Sequence, residues 1–288
     1  MDWVNGILQG ALIGGLYALF AAGLSLMFGV MRLVNIAHGD LIVLAAYLGL
    51  VVVQTLGLSP FVSLVIVVPA MFVLGYFLQR GLLNFTLGGD ILPPLLVTFG
   101  LSIIIQNALL EGFSADSQKL QAGSFETASL HLTDQLAIGW FPFVIFLTAV
   151  AVIAMLELLI YRTALGRAFR ATSDDSDTAR LYGVRNRHVY ALATALALSV
   201  ISIAAIFLAV RVNFDPASGP ARLLYAFEAV IIGGLGSLWG TLAGGVVLGV
   251  AQAVGAQINP GWESLAGHVA FLVVLILRPR GLFPKLVD

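Results

Sequence analysis

Between Gly6 and Gln79 the only residues of charged or titratable type (Asp, Glu, Lys, Arg, His) are Arg32, His38 and Asp40. Two of them fall in one hexapeptide, "NIAHGD", residues 35–40. A histidine beside a carboxylate could form an acid–base pair or part of a metal site. The spacing argues against both, because residues two apart on a continuous helix face different directions, and no third ligand stands nearby. A plainer role fits better. Asp40 directly precedes the apolar run from Leu41, where an acid accepts orphan amides and suits the helix dipole. Asn35, His38 and Asp40 are therefore expected to cap a second helix as a polar hinge. Lining of a polar path is compatible with that role, since broken helices are where such paths place their polarity.

Other chemistry is missing by motif. No G-x-x-x-x-G-K-[ST] phosphate loop and no G-x-S-x-G elbow occurs. The stretch "GGLGSLWG" (233–240) has the wrong glycine spacing for a dinucleotide fingerprint. The chain has no cysteine, so thiolate metal sites and cysteine catalysis are excluded. No coherent set of acid, base and nucleophile remains, and we expect neither an enzyme nor a metal site.

The elements that must position these residues are membrane helices. The 288-residue chain is 60% hydrophobic and 10% charged, whereas a soluble domain carries about 25% charged residues. Apolar segments read at about 6–31, 41–56, 61–79, 92–111, 140–161, 189–210, 226–258 and 265–277, each a helix candidate because lipid offers no partner to an open backbone. The run 226–258 is too long for one straight span and is interrupted by Gly233, Gly234 and Gly236, so a break is expected there. The fold class is thus all-α and polytopic, a single transmembrane domain over 1–288, with eight or nine membrane segments, one a candidate re-entrant segment. Two glycine ladders, Gly6/Gly10/Gly14 and Gly236/Gly240/Gly244, each put small residues on one helix face for close packing. Net charge is −1, which offers no basic field for nucleic acid. The positive-inside rule orients the chain: eleven of the fourteen Lys and Arg residues collect on one side, leaving Lys119, Arg211 and Arg222 on the other. This puts the N-terminus outside and the C-terminus in the cytoplasm.

The loop over about 162–188 mixes basic and acidic residues and shows a helical rhythm at Leu165, Ala168, Phe169 and Thr172. From composition, an amphipathic helix docking on a soluble partner and a mere charged anchor fit equally. Here "ALGRAFRATSDDSDTARLYGV" (164–184) resembles the cytoplasmic coupling segment of ABC-importer permeases. Three further stretches, "GLSLMFGVMRLVNIAHGDLIVLAAYLG" (23–49), "AFEAVIIGGLGSLWGTLAGGVVLG" (226–249) and "LILRPRGLFP" (275–284), resemble signatures of the branched-chain amino-acid permease family, in its shorter type. The four blocks lie in order across nearly the whole chain.

This resemblance implies a bacterial inner-membrane permease working by alternating access, with ATP hydrolysed by two separate ATPase subunits and no cofactor in this chain. It also implies an extracytoplasmic binding protein and a second permease subunit, of the longer type or a second copy. The coupling residues, carried over by motif, would be Gly166, Arg167, Ala168, Arg170, Ala171, Ala179 and Gly183. Two features depart from the family pattern: the acidic run Asp174, Asp175, Asp177, and Arg211 where a smaller, more apolar stretch is expected. Branched-chain amino acids are the default substrate, urea or short amides the alternative. A self-contained secondary transporter or channel would need intramembrane carboxylates, and Asp40, Glu157 and Glu228 each read more readily as cap or interface residues.

Overall fold

The structure, a computed structural model, describes residues 2–87, 92–133 and 136–283. Lys285 and the terminal Asp288, on which part of the expected orientation rests, lie outside the described residues. Helices run α1 Asp2–Met31, α2 His38–Leu56, α3 Pro60–Gly81, α4 Leu92–Phe113, α5 Trp140–Arg162, α6 Ala164–Asp174, α7 Ser176–Leu181, α8 Asn186–Arg211, α9 Gly219–Gly233, α10 Leu238–Ile258 and α11 Glu263–Leu277. Among the described residues eight helical stretches are long and apolar enough to cross a membrane, the last of them Pro260–Leu277, in which a 3-10 turn over Pro260–Trp262 runs straight into α11 and lengthens it to 18 residues. The ninth apolar helix, α9, has 15 residues, about 22 Å, and falls short of a hydrocarbon core of about 30 Å. The expected break in 226–258 is real: α9 stops at Gly233 and α10 starts at Leu238. Gly234 (φ 110°) and Gly236 (φ 79°) make the turn in backbone conformations that a side chain would strain. The Ser237 hydroxyl then accepts from the Gly240 amide at 3.1 Å and starts α10.

Burial sorts the helices into a centre and a rim. In α8, 83% of the most apolar window is buried inside the protein, and in α1 78%, against 6% in α11. The centre depends on backbone contact. A Cβ added to Gly10 or Gly14 of α1 would collide with the backbone of Gly249 or Gly245 of α10. The two glycine ladders of the sequence do not face each other. Gly240 and Gly244 pack on the other side of α10, against Gly233 and Ala229 of α9. α10 is therefore thin on two faces, one for α1 and one for α9.

One end of the bundle carries α6 and α7. The other carries an antiparallel hairpin of β1 Ser129–Thr133 and β2 Leu136–Gly139, a small addition to the expected all-α class. The strand signal was present in the apolar–polar alternation of "SLHLT". The same loop lies across the end of α8: Gln118 and Phe214 exchange backbone hydrogen bonds at 2.8 and 2.9 Å, and the Leu120 amide donates to the Ala209 carbonyl at 2.8 Å. These bonds satisfy carbonyls that a helix end leaves open.

Gly14→Leu should separate α1 from α10, because overpacking a tight contact costs typically ~1–3 kcal/mol. We expect a lower unfolding midpoint in detergent for Gly14→Leu, and little change for Gly100→Leu, whose Cβ position meets nothing within 4 Å. Equal midpoints would rule out this packing.

Candidate functional site

The hexapeptide 35–40 lies deep inside the bundle. α1 ends at Met31, Arg32 turns in the left-handed region (φ 52°), and a non-helical segment over 33–37, closed by a turn at Ile36 and Ala37, doubles back. His38 opens α2 with its Nε2 2.9 Å from the carbonyl oxygen of Phe20, so Nε2 carries the proton and donates. Phe20 lies eleven residues before the end of α1, about 16 Å along its axis. The start of α2 therefore lies beside the middle of α1 rather than at its end. Asn35, His38 and Asp40 are all buried. The irregular backbone is satisfied locally, as membrane depth demands. The Thr98 hydroxyl of α4 accepts from the Ile36 amide at 3.2 Å, and Asn35 Oδ1 accepts from the Ala37 amide at 3.0 Å.

Asp40 does not cap α2. The cap position is Ala37, which has no side-chain bond, and Asp40 sits inside the first turn. Its Oδ1 accepts from Gln106 Nε2 of α4 at 2.9 Å, and the same Nε2 is 3.2 Å from Ser102 Oγ. Its carboxylate also lies against the first residue of α9, since a Cβ on Gly219 would collide with it. The acid thus stands at two helix N-termini, where unpaired amides favour negative charge. Gln106, Ser102, Thr98 and Gly219 were not singled out in the sequence; polar residues within the apolar run 92–111 were the signal for the first three.

Gly233, Gly234 and Gly236 lie at the α9–α10 turn, where the carbonyl end of α9 is closed by the C-terminal signature. The amides of Leu282 and Phe283 donate to the carbonyls of Ile232 and Gly233 at 2.8 and 2.9 Å. A Cβ added to Gly281 would collide with the backbone of Gly234.

Between α5 and α8 the chain forms two short helices where the sequence suggested one. Thr163 caps α6, accepting from the Gly166 amide at 3.1 Å. The acidic run supplies the second start: Asp175 Oδ1 accepts from the amides of Asp177 and Thr178, both at 3.0 Å. With the Thr178 hydroxyl also donating, these bonds hold the Asp175 carboxyl below the usual aspartate range. The rhythm noted in the sequence holds, with Gly166, Phe169 and Thr172 buried beneath α6. Arg167 and Ala171 are exposed, Ala168 and Arg170 half-buried, with Arg170 over the Tyr161 ring at 5.1 Å. Ala179 is buried in α7, and exposed Gly183 (φ 87°) turns the chain after Leu181 and Tyr182, which are 87% and 86% exposed. Ser173 Oγ, also unforeseen, donates to the Gly29 carbonyl at 2.6 Å. Phe169, Gly29 and Gly236 line one niche, so α6 packs on α1 and faces the α9–α10 turn across it.

Residues 6–277 match the profile of a protein family described as "Branched-chain amino acid transport system / permease component". The chain belongs to that family. It is 28% identical to the high-affinity branched-chain amino acid transport system permease protein BraD of Pseudomonas aeruginosa, over 98% of this chain and 96% of that one. It is 27% identical to the corresponding LivH of Salmonella typhimurium, covering 96% and 94% of the two chains. Among solved structures, PsaBC from Streptococcus pneumoniae aligns over 97% of this chain and 96% of that one, with a TM-score of 0.49 and 16% identity.

A permease component of an ABC importer is a transport subunit, not an enzyme, and it implies ATPase and binding-protein partners. Its multi-pass architecture agrees with the eight membrane-length helices. In this permease a cavity of about 1040 Å³ opens at the α6–α7 end, between the turn at Arg32–Val34, the start of α4 at Pro94, Asp174–Asp177 and Tyr190 of α8.

Gln106→Leu removes the donor from a buried carboxylate, and a buried polar group left unsatisfied costs about 1–3 kcal/mol. We expect its unfolding midpoint in detergent to fall clearly, and Asp40→Asn, which still accepts from Gln106, to fall less. The reverse order would show that Gln106 is not what satisfies Asp40.

Proposed function

We propose that this chain is a transmembrane subunit of an ATP-driven importer for branched-chain or related hydrophobic amino acids. The observation that carries the reading is the match to the branched-chain permease family over residues 6–277. Two ATPase subunits bind and hydrolyse ATP, a binding protein delivers substrate from outside, and a second permease, of a longer type or a second copy, completes the pathway. The absence of a phosphate loop from this chain accords with that division.

The α6–α7 end faces the cytoplasm. Supporting this, most Lys and Arg residues of the loops lie at that end. α1 begins at the hairpin end, so the N-terminus is outside, and the pairing of Leu282 with Ile232 keeps the C-terminal segment at the cytoplasmic turn. Gly166, Arg167, Ala168, Arg170, Ala171, Ala179 and Gly183 form the coupling segment, with Leu181 and Tyr182 at its exposed tip. Asn35, His38, Asp40, Gly233, Gly234 and Gly236 form the hinge and border the pathway. The cavity beside Arg32 is its inner vestibule. Closure of the ATPases shifts the permease because the two conformations bind the closed pair with different free energy. Ser173 and Phe169 pass that shift to Gly29 and the α9–α10 turn.

Uptake of labelled leucine, urea and polar amino acids by the reconstituted complex tests the substrate class, and preference for urea would sink the amino-acid reading. Arg170→Glu and Leu181→Asp should lower leucine uptake per ATP about tenfold, an ordinary coupling free energy of ~1.4 kcal/mol. Both variants should still reach the membrane, and normal transport by both would remove the coupling assignment. A reporter fused after Asp288 should report cytoplasm; a periplasmic signal would invert the topology.

A further inference from the structure

Among the described residues, three charged side chains bury a polar atom that has no hydrogen-bond partner. They are Arg211 at Nη1, Arg222 at Nε and Glu228 at Oε2. All three belong to one seam. Arg222 and Glu228 lie on α9 with Tyr225 between them, three residues from each, the spacing at which helical side chains are neighbours. The Tyr225 ring packs on Tyr17 of α1 at 5.2 Å and stacks on His268 of α11 at 6.3 Å. His268 Nδ1 pairs with Glu228 Oε1 at 2.5 Å. Arg211, the last residue of α8, interacts electrostatically with Tyr17 and Glu263, and Arg222 with Tyr17.

Neither guanidinium forms an ion pair with a described residue; the two pairs present are Lys119–Glu126 and His268–Glu228. Glu228 is buried and the two arginines are half-buried, and each keeps one polar atom out of solvent with no hydrogen-bond partner, a cost that calls for an explanation. The signs are informative. Two cations stand towards the α8 end of the seam and one carboxylate oxygen stands deeper, with tyrosine ring surface between them. That pattern complements a zwitterion with an apolar side chain. The seam reaches the rim of the bundle at His268, which is 36% exposed on a helix that buries little else. α9 begins beside Asp40, which joins the seam to the broken-helix centre.

We propose that this seam holds the transported amino acid. The guanidinium groups of Arg211 and Arg222 receive its carboxylate, Glu228 Oε2 receives its ammonium, and the rings of Tyr17 and Tyr225 flank its side chain. The bidentate fork of arginine suits a carboxylate. Arg211 was the residue that departs from the family pattern, and here it has a use. This rests on the amino-acid reading above and adds to it the residues that touch the substrate.

The test reconstitutes the whole importer in vesicles, with its ATPases, second permease and binding protein, and measures labelled L-leucine uptake together with ATP hydrolysis. In Arg222→Gln and Glu228→Gln, ATP hydrolysed per leucine should rise at least about tenfold, and Arg222→Lys, which keeps the charge, should recover most of that loss. A purely structural role would lower uptake and hydrolysis together and leave the ratio at the wild-type value. That result, or wild-type ratios in both variants, overturns the site. Should Arg222→Gln fail to assemble, Arg211→Gln at the helix end gives the same readout. A ratio in the wild type that follows zwitterionic lipid content would assign the arginines to lipid headgroups and overturn the proposal too. Wild-type complex that carries urea and no leucine would instead defeat the amino-acid reading, a distinct outcome.

Discussion

The permease depends on backbone meeting backbone between α1 and α10. Gly10 and Gly14 on one side and Gly245 and Gly249 on the other leave no room for a methyl group. Lipid tails are as apolar as leucine, so helix association in a membrane rests on such close packing rather than on exclusion of water. Because α10 is equally thin on its α9 side, at Gly240 and Gly244, α1 and α9 both lock onto it. This fixes the end of α1, and with it Gly29. The Gly29 carbonyl takes the hydrogen bond from Ser173, and the Gly29 position approaches Gly236. The N-terminal signature, the coupling segment and the glycine-rich turn therefore meet at one residue, and the C-terminal signature joins them through the Ile232 and Gly233 carbonyls.

A second constraint shapes everything the first leaves free. A backbone that abandons helix inside a membrane must find partners within the protein. The segment 33–37 finds Thr98 and its own Asn35 side chain. α9, which stops at Gly233, finds the amides of Leu282 and Phe283. These breaks are permitted because they are buried, and they place His38, Asp40 and the ends of α9 within the bundle rather than at its surface. Asp40 illustrates the consequence. One carboxylate serves two helix starts and a glutamine, so its neighbours on α4 and α9 are fixed relative to α2.

Hydrophobic run lengths made the spans legible, because a membrane helix announces itself over about twenty residues. The break in 226–258 was legible for the same reason: a run too long for one crossing with glycines in its middle. What stayed hidden was depth. "NIAHGD" reads as a boundary because polar residues end an apolar run, and nothing local says that the chain turns back at Arg32 before α2 begins. Only the partners in α1, α4 and α9 reveal it, and those contacts span 18 to 66 residues or more of sequence. The acidic run 174–177 was similarly opaque. Nothing in its composition says that Asp175 caps α7. The hairpin at 129–139 was barely legible because its strands are short and their alternation is weak beside membrane-length apolar runs.

These constraints also decide where the permease can bend. α1 cannot slide on α10 without forcing backbone atoms together at Gly14 and Gly245. A closely packed interior is bistable rather than continuously deformable. On the proposed reading, a push arriving through α6 therefore cannot be absorbed along the α1–α10 contact. It reaches Gly29 through Ser173 and must be taken up where the backbone already departs from helix: at Arg32 with φ 52°, and at Gly234 and Gly236. Both lie at the same end as the cavity beside Asp174–Asp177. Movement there opens or narrows that cavity while the hairpin end, tied across α8 by Gln118 and Phe214, keeps its shape. On the proposed reading the inner gate is then formed by the non-helical segment after Arg32, and α9, joined to both breaks, carries the change from that gate towards Asp40.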